Sequence, residues 1–160
     1  MNSSVKRLRS ELAALRRNPD ESIELNVSEE DIRVWSAEIK GPPDSPYAGH
    51  VFVLDVTVGA EYPNTPPLIR MRTKCFHPNI HFTTGEICLD ILKKEWLPAW
   101  SLQSACRAII CLLGEPAADS PLNCDAGNMV REGDHIAYFF LARMYTIEFA
   151  RPVAVTASAL

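Results

Sequence analysis

The chain has 160 residues, of which 47% are hydrophobic and 22% charged, and its formal net charge is −4. The mild negative charge argues against a nucleic-acid binder and against a general binder of membrane surfaces, and no apolar run reaches the ~20 residues that a membrane span needs. We therefore predict one globular domain over residues 1–160, with a core from about 4 to 150 and a flexible tail over 151–160.

Cysteine usage indicates a reducing compartment. The five cysteines are odd in number and form no CxxC or CxxH pair, so we predict neither a disulfide framework nor a metal site. They are Cys75, Cys88, Cys106, Cys111 and Cys124. Two of them fall within one predicted helix, and we interpret Cys106 and Cys111 as small buried hydrophobic residues.

The chain begins with an amphipathic helix that Asn18-Pro19 ends. Its apolar positions are Val5, Leu8, Leu12 and Leu15, and its basic ones are Lys6, Arg7, Arg9, Arg16 and Arg17. The basic face is either simply solvated or a docking surface for an acidic partner. A mitochondrial transit peptide has a similar composition, but Glu11 and the continuous run into the domain argue against it.

Four segments then alternate apolar and polar residues, as half-buried strands do. Their apolar positions are Ile23, Leu25 and Val27; Trp35, Ala37 and Ile39; Phe52, Leu54, Val56 and Val58; and Ile69 and Met71. The connections at 28–31, 41–49 and 61–67 are short, which favours an antiparallel meander. In the last of these loops, Pro66-Pro67 is a candidate for a cis peptide bond, and the stiff loop is a plausible binding edge.

Helices make up most of the remaining chain. Ser101 is the predicted cap of a helix that ends at Gly114, and a short helix runs from Asp125 to about Arg131. A final helix starts after Gly133-Asp134 and carries one apolar face, formed by Ile136, Phe140, Met144 and Ile147. The predicted fold class is α+β: an N-terminal helix, a four-stranded antiparallel meander sheet, an irregular segment, then C-terminal helices.

The irregular segment HPNIHFTTGEICLD, residues 77–90, contains the candidate chemistry. Cys88 has no evident histidine base, because His77 precedes a proline turn, where its expected role is to hold that turn. The lack of a base suits a cysteine that receives an acyl group and must hold it, since a strong base would activate water to hydrolyse the thioester. The Asn79 amide can donate to an oxyanion or pin the loop, and the two roles are compatible. Asp90 can orient an attacking amine.

Motifs along nearly the whole chain, from Val5 to about Ala150, resemble those of ubiquitin-conjugating enzymes. In order they are KRLRSELAALRRNP, GPPDSPYAGHVF, EYPNTPP, FHPNI, GEICLDIL, EWLPAWSL and DSPLN. The resemblance implies that Cys88 takes ubiquitin as a thioester from the activating enzyme, and that Asn79 supports the oxyanion and the loop. The implied catalytic residues are Cys88, Asn79 and Asp90, and the supporting residues are His77, Pro78, Leu89 and Ser120.

The same resemblance implies partners and their surface. The activating enzyme docks on the basic first helix, and a RING ligase on that helix and two loops; the docking residues are Lys6, Arg7, Pro63, Asn64, Pro98 and Ala99. No cofactor is expected to bind, because the upstream activating enzyme uses the ATP.

HFTTGEICLDIL, PAWSLQSACRAI and DSPLNCDAGNMVREGD are most similar to the peroxisomal members of the family. This implies a cytosolic protein that a membrane-anchored partner recruits to the cytosolic face of the peroxisome. The implied substrate is the import receptor, which is modified on cysteine or lysine for its recycling. The C-terminal Ser-Ala-Leu resembles a peroxisomal import signal, but its central residue is not basic, so we prefer peripheral recruitment.

Three positions depart from the commonest members of the family. The spacing from Asn79 to Cys88 is one residue longer, Asn64 replaces an aromatic residue that many members offer to ligases, and Ser120 replaces an aspartate. The loss of that fixed charge puts strong amine activation in doubt, and Ser120 is a candidate phosphorylation switch.

Three other functions remain in competition. The chain could conjugate another ubiquitin-like modifier, which the choice of modifier in a thioester assay would decide. It could be a non-catalytic scaffold, against which the joint presence of Cys88, Asn79 and Asp90 argues. It could be a thiol hydrolase or redox protein, but it has neither a paired histidine nor a resolving cysteine.

Overall fold

A computed structural model describes residues 3–155 and shows the predicted α+β order. Its elements are α1 (Ser3–Arg17), β1 (Ile23–Val27), β2 (Val34–Lys40), β3 (His50–Thr57), β4 (Leu68–Met71), a 3-10 helix (Asp90–Leu92), α2 (Leu102–Gly114), α3 (Cys124–Arg131), α4 (His135–Phe149) and β5 (Arg151–Pro152). Strands β1 to β4 pair in chain order, each antiparallel to the next. The predicted meander is thereby confirmed.

The sheet has a fifth strand that we did not predict, because two residues are too few to show an alternating pattern. Strand β5 pairs with the start of β3, and Pro152 lies opposite His50. The Val153 amide donates to the Gly49 carbonyl at 2.9 Å, and Arg151 forms an ion pair with Glu38. The predicted flexible tail over 151–160 is therefore wrong at its start. The Ser-Ala-Leu segment lies outside the described residues.

Helix α2 packs on the inner face of the sheet and fixes where the active-site segment can run. Ser101 caps it as predicted, because its hydroxyl oxygen accepts from the Ser104 amide at 3.1 Å. In return, the Ser101 amide donates to the Ser104 hydroxyl oxygen. Its buried residues are Leu102, Ala105, Cys106, Ile109, Leu112 and Leu113. Each large apolar side chain buried here contributes about 1.5–3 kcal/mol, so this packing holds the segments at both ends of α2 in place.

Two detailed predictions are wrong. The cis peptide bond in the proline-rich loop joins Tyr62 to Pro63, not Pro66 to Pro67. Cys106 is buried, which raises its thiol pKa to about 12, but Cys111 is exposed. Five residues advance an α-helix by about 140° beyond one full turn, so Cys111 faces solvent when Cys106 faces the core.

Helix α4 is apolar around most of its circumference. It buries Tyr138, Ala142 and Thr146, which recur every four residues. The apolar face that the sequence indicates is exposed: Ile136 is 74% exposed, Phe140 67%, Met144 63% and Ile147 61%. Of the helices within residues 3–155, none is both long and apolar enough to cross a membrane.

Candidate active site

His77 holds the proline turn at the start of the active-site segment, as expected. Its ring is fully buried, with Nε2 2.8 Å from the Leu112 carbonyl oxygen. Nδ1 accepts a hydrogen bond from the Asn79 amide at 3.0 Å, which assigns the proton of the neutral ring to Nε2. Burial lowers the pKa of His77 to about 4. The imidazole is therefore neutral, and both of its ring nitrogens are engaged in hydrogen bonds within the fold.

Asn79 clamps the loop that follows α2. Its Nδ2 donates to the Ala117 carbonyl at 2.6 Å, and its Oδ1 accepts from the Ala117 amide at 2.8 Å. The Pro78 carbonyl accepts two further bonds from the same loop, from Leu122 N at 2.8 Å and Asn123 N at 3.1 Å. One hydrogen of the Asn79 amide group remains for another acceptor. Pinning of the loop is thus observed, and a donor role for the second hydrogen is compatible with it.

Cys88 is partly exposed, and its backbone is tied to the asparagine. The Cys88 amide donates to the Asn79 carbonyl at 2.8 Å, next to an isolated bridge between Ile80 and Ile87. Ile80 and Ile87 are both buried, whereas Leu89 is half-buried. The buried Ile80 and Ile87 anchor this part of the segment, and the neighbouring Cys88 side chain remains partly exposed.

Asp90 and Ser120, two residues assigned to this site from the sequence, are both exposed. Asp90 begins the 3-10 helix, and its carboxylate lies 3.5 Å from the Lys94 ammonium group. Both side chains are well exposed, so the ion pair is weak and leaves the carboxylate accessible. Ser120 lies in the loop that the Asn79 and Pro78 hydrogen bonds attach to the turn.

The predicted docking residues lie on three elements that the structure joins together. Trp96 Nε1 donates to the Pro63 carbonyl at 2.8 Å and connects the two loops. Arg7 connects α1 to the second loop, because its Nη2 donates to the Trp100 carbonyl at 2.8 Å. Lys6, Asn64, Pro98 and Ala99 are exposed. The three elements are thus held to one another, and Arg7 is partly buried between them.

Glu11 is the residue that sequence analysis missed. It lies on the apolar face of α1 and is 7% exposed. Its Oε1 accepts from Arg7 Nε at 2.7 Å and from the Tyr62 hydroxyl at 2.5 Å. Its Oε2 accepts from the Leu102 amide, the first of α2, at 2.8 Å. An acidic residue between Leu8 and Leu12 was the available signal, and it indicates a buried carboxylate with internal partners.

We expect stability to fall on mild acidification because of His77. The unfolded chain protonates this histidine near pH 6.5, and the folded protein only near 4. The folded state thus binds fewer protons in this window, and lowering the pH from 7.5 to 5 should cost about 2 kcal/mol. Urea unfolding at both pH values measures this. The loss of stability should largely disappear in His77→Gln and persist in the control His135→Gln, which changes an exposed histidine. An equal loss in the wild type and both variants would contradict the role of His77.

The chain matches the family model described as "Ubiquitin-conjugating enzyme" over residues 7–145. It belongs to the ubiquitin-conjugating enzyme family. It is 51% identical to "Protein PEROXIN-4" of Arabidopsis thaliana, over 95% of this chain and 98% of the relative. It is 55% identical to "Ubiquitin-conjugating enzyme E2 pex4" of Dictyostelium discoideum, over 88% and 95% respectively. These similarities confirm the resemblance to the peroxisomal members.

Solved structures agree with the fold. A ubiquitin-conjugating enzyme domain of Toxoplasma gondii has a TM-score of 0.84 and 35% identity, covering 92% of this chain and 99% of that one. The Pex4p of H. polymorpha, crystallised in complex with the soluble domain of Pex22p, has a TM-score of 0.87 and 34% identity, covering 93% and 99%. The protein is a ubiquitin-conjugating enzyme of the Pex4 type.

Proposed function

We propose that Cys88 accepts ubiquitin as a thioester and, with a RING ligase, passes it to a lysine or cysteine of the peroxisomal import receptor. The observation that supports this best is the hydrogen bond from the Cys88 amide to Asn79, whose side chain is itself clamped. It ties the backbone of the partly exposed Cys88 to that of a residue whose side-chain amide has one hydrogen left to donate. No cofactor is needed at this site, since the thioester already carries the activation.

In the first step the Cys88 thiolate attacks the thioester on the activating enzyme. A new C–S bond forms, the old C–S bond breaks, and the activating enzyme's cysteine leaves as a thiolate. In the second step an amine or thiol of the acceptor attacks the Cys88 thioester. The second Asn79 amide hydrogen then stabilises the oxyanion. Collapse breaks the C–S bond to Cys88 and releases its thiolate. Ubiquitin is left in a new amide or thioester bond to the acceptor, whose proton passes to solvent. Asp90 orients the incoming amine.

His77 suits this chemistry because neither of its ring nitrogens is free to act as a base. A free imidazole beside Cys88 would activate water and hydrolyse the thioester before transfer. Here Nε2 pairs with the Leu112 carbonyl and Nδ1 with the Asn79 amide. The surface around Lys6, Asn64 and Pro98 is the proposed docking site for the activating enzyme and the ligase, and the basic charge of α1 fits an acidic partner.

The test is thioester formation. Ubiquitin, an activating enzyme and ATP are mixed with the protein or with Cys88→Ala and run on a non-reducing gel. A single adduct that thiol removes and that Cys88→Ala lacks is expected; Cys111→Ala, an exposed cysteine, is the control that keeps it. An adduct with another modifier and its activating enzyme, and none with ubiquitin, would contradict the choice of ubiquitin. No adduct with any modifier would contradict the catalytic function.

We further propose that a peroxisomal membrane anchor of the Pex22 type docks on the exposed apolar face of α4, and that it recruits the protein from the cytosol. Phe140, Met144 and Ile147 are each more than half exposed there. Contiguous exposed apolar patches of this kind mark protein interfaces. Helix α4 carries none of the docking residues for the activating enzyme and ligase, so an anchored enzyme can engage both.

We expect Met144→Glu to weaken binding to the cognate anchor's soluble domain by about 30-fold or more, as for a central interface residue. A charged side chain would be buried without a partner in the complex. Isothermal titration calorimetry measures the affinity. Glu148→Gln, an exposed change on the same helix, is the control, and thioester formation should be unchanged in both. Unaltered affinity of Met144→Glu would exclude α4 as the docking face.

A further inference from the structure

The loop between α2 and α3 is attached to the active-site segment at two points. At the first point, Ala117 exchanges two hydrogen bonds with the Asn79 side chain, at 2.6 and 2.8 Å. At the second, the Leu122 and Asn123 amides both donate to the Pro78 carbonyl, at 2.8 and 3.1 Å. The orientation of the Asn79 side-chain amide therefore depends on where this loop lies.

Asn123 joins the second attachment point to a helix. Its Oδ1 accepts a hydrogen bond from the Ala126 amide at 3.1 Å and so caps the N-terminus of α3. Its backbone amide is at the same time one of the two donors to the Pro78 carbonyl. One residue thus fixes both the start of α3 and the end of the loop relative to the proline turn.

Helix α3 depends on this cap more than a long helix would. It has 8 residues, which is about two turns, and so short a helix has few internal hydrogen bonds to offset the cost of nucleation. Its first turn is packed into the fold, because Ala126 and Gly127 are buried. Without the cap we expect this turn to fray, and the backbone of Asn123 is then free to move with it.

Packing connects the same turn of α3 to the loop. The Pro121 ring lies directly on Gly127, so closely that a Cβ atom added to the glycine would lie 2.6 Å from the proline Cβ. In sequence, Pro121 lies between the two attachment points of the loop, so the helix supports the loop there. Fraying of the first turn weakens this support together with the hydrogen bonds to Pro78, and it leaves more of the restraint to Ala117.

We propose that Asn123 is a positioning residue for the transfer of ubiquitin from Cys88. It acts through Asn79, because the capped helix holds the loop and the loop holds the side-chain amide that donates to the oxyanion. The inference rests on the proposed function of Cys88 and Asn79. Asn123 should therefore influence discharge of the thioester and have little influence on its formation, for which the activating enzyme supplies its own groups.

The positioning effect is tested first on the protein without ubiquitin. The Asn79 side-chain hydrogen that donates to the Ala117 carbonyl is followed by NMR, and its exchange with water reports how often this bond opens. Asn123→Ala is expected to raise the exchange rate about fivefold, the ratio that corresponds to the loss of a typical cap. Asn123→Ser, whose hydroxyl oxygen is also a good cap, should keep the wild-type rate. An unchanged exchange rate in Asn123→Ala would overturn the proposal.

The kinetic test is single-turnover discharge of the Cys88 thioester to free lysine. Asn123→Ala is expected to slow discharge by about threefold or more, but by less than Asn79→Ala does, because the Asn79 amide is still present and is only less often held in place. The matched control is Asp134→Ala, which removes the cap of α4, a bond to the Ala137 amide that is also 3.1 Å long. Both variants should lose a similar amount of thermal stability, whereas the control should discharge at the wild-type rate. Equal slowing in the two variants would overturn the proposal.

A double mutant shows whether Asn123 acts through Asn79. If it does, adding Asn123→Ala to Asn79→Ala should slow discharge no further. A second reduction as large as that of Asn123→Ala alone would overturn the proposal. Failure of the wild-type protein to form the thioester would instead count against the proposed function of Cys88, and the NMR measurement would still decide whether Asn123 positions the Asn79 amide.

Discussion

Asn79→Ala is expected to slow the transfer of ubiquitin from Cys88 by about 10²-fold. Two effects act together. The substitution removes the donor that we propose for the developing oxyanion, and it breaks both hydrogen bonds to Ala117 that hold the neighbouring loop. The measurement is single-turnover discharge of the preformed thioester to free lysine and to free cysteine. Thioester formation itself should fall much less, because the activating enzyme supplies its own groups for that step.

A second substitution separates the two effects. Asn79→Asp keeps an oxygen that can accept from the Ala117 amide, but it has no amide hydrogen and brings a negative charge to the oxyanion. If Asn79 acts as a donor, discharge by Asn79→Asp should be at least as slow as by Asn79→Ala. If Asn79 only pins the loop, Asn79→Asp should recover part of the discharge rate. Asp119→Asn, an exposed change in the same loop, is the control. Discharge within twofold of wild type for Asn79→Ala would contradict both roles.

Glu11→Gln is expected to destabilise the fold by about 3 kcal/mol, although it keeps the size of the side chain. The amide removes the charge opposite Arg7, and its nitrogen cannot accept the bond from the Leu102 amide. For a chain of this size the midpoint of thermal unfolding should fall by about 6–12 °C. Thermal and urea unfolding both measure the loss.

Two comparisons show whether the loss arises from the buried network. Glu21→Gln removes an exposed carboxylate and should change stability by less than about 0.5 kcal/mol. Tyr62→Phe removes one hydrogen bond to Glu11 and should cost about 1 kcal/mol, with a non-additive double mutant. A loss below 1 kcal/mol for Glu11→Gln would show that the network contributes little. Because the network joins α1 to both docking loops, ligase-stimulated discharge should also fall in Glu11→Gln at a temperature where it remains folded.

The sequence alone determined the features that depend on local physics. Alternation of period two placed Trp35, Ala37 and Leu54 on the inner face of the sheet, because one strand has only two faces. The Ser101 cap also follows from its own neighbourhood, as does the proline turn that His77 holds. The family motifs added the identity of Cys88, which composition and spacing would not have distinguished from a structural cysteine.

Only the tertiary structure decided which faces are covered and which charges are internal. Periodicity placed Phe140 and Met144 on one face of α4, but whether another element covers that face depends on packing between distant segments. For the same reason Arg7 appeared only as part of a basic face, although its guanidinium bonds to Glu11 and Trp100 inside the fold. Partners far apart along the chain leave no periodic pattern, so the network around Glu11 appears only when the chain is folded.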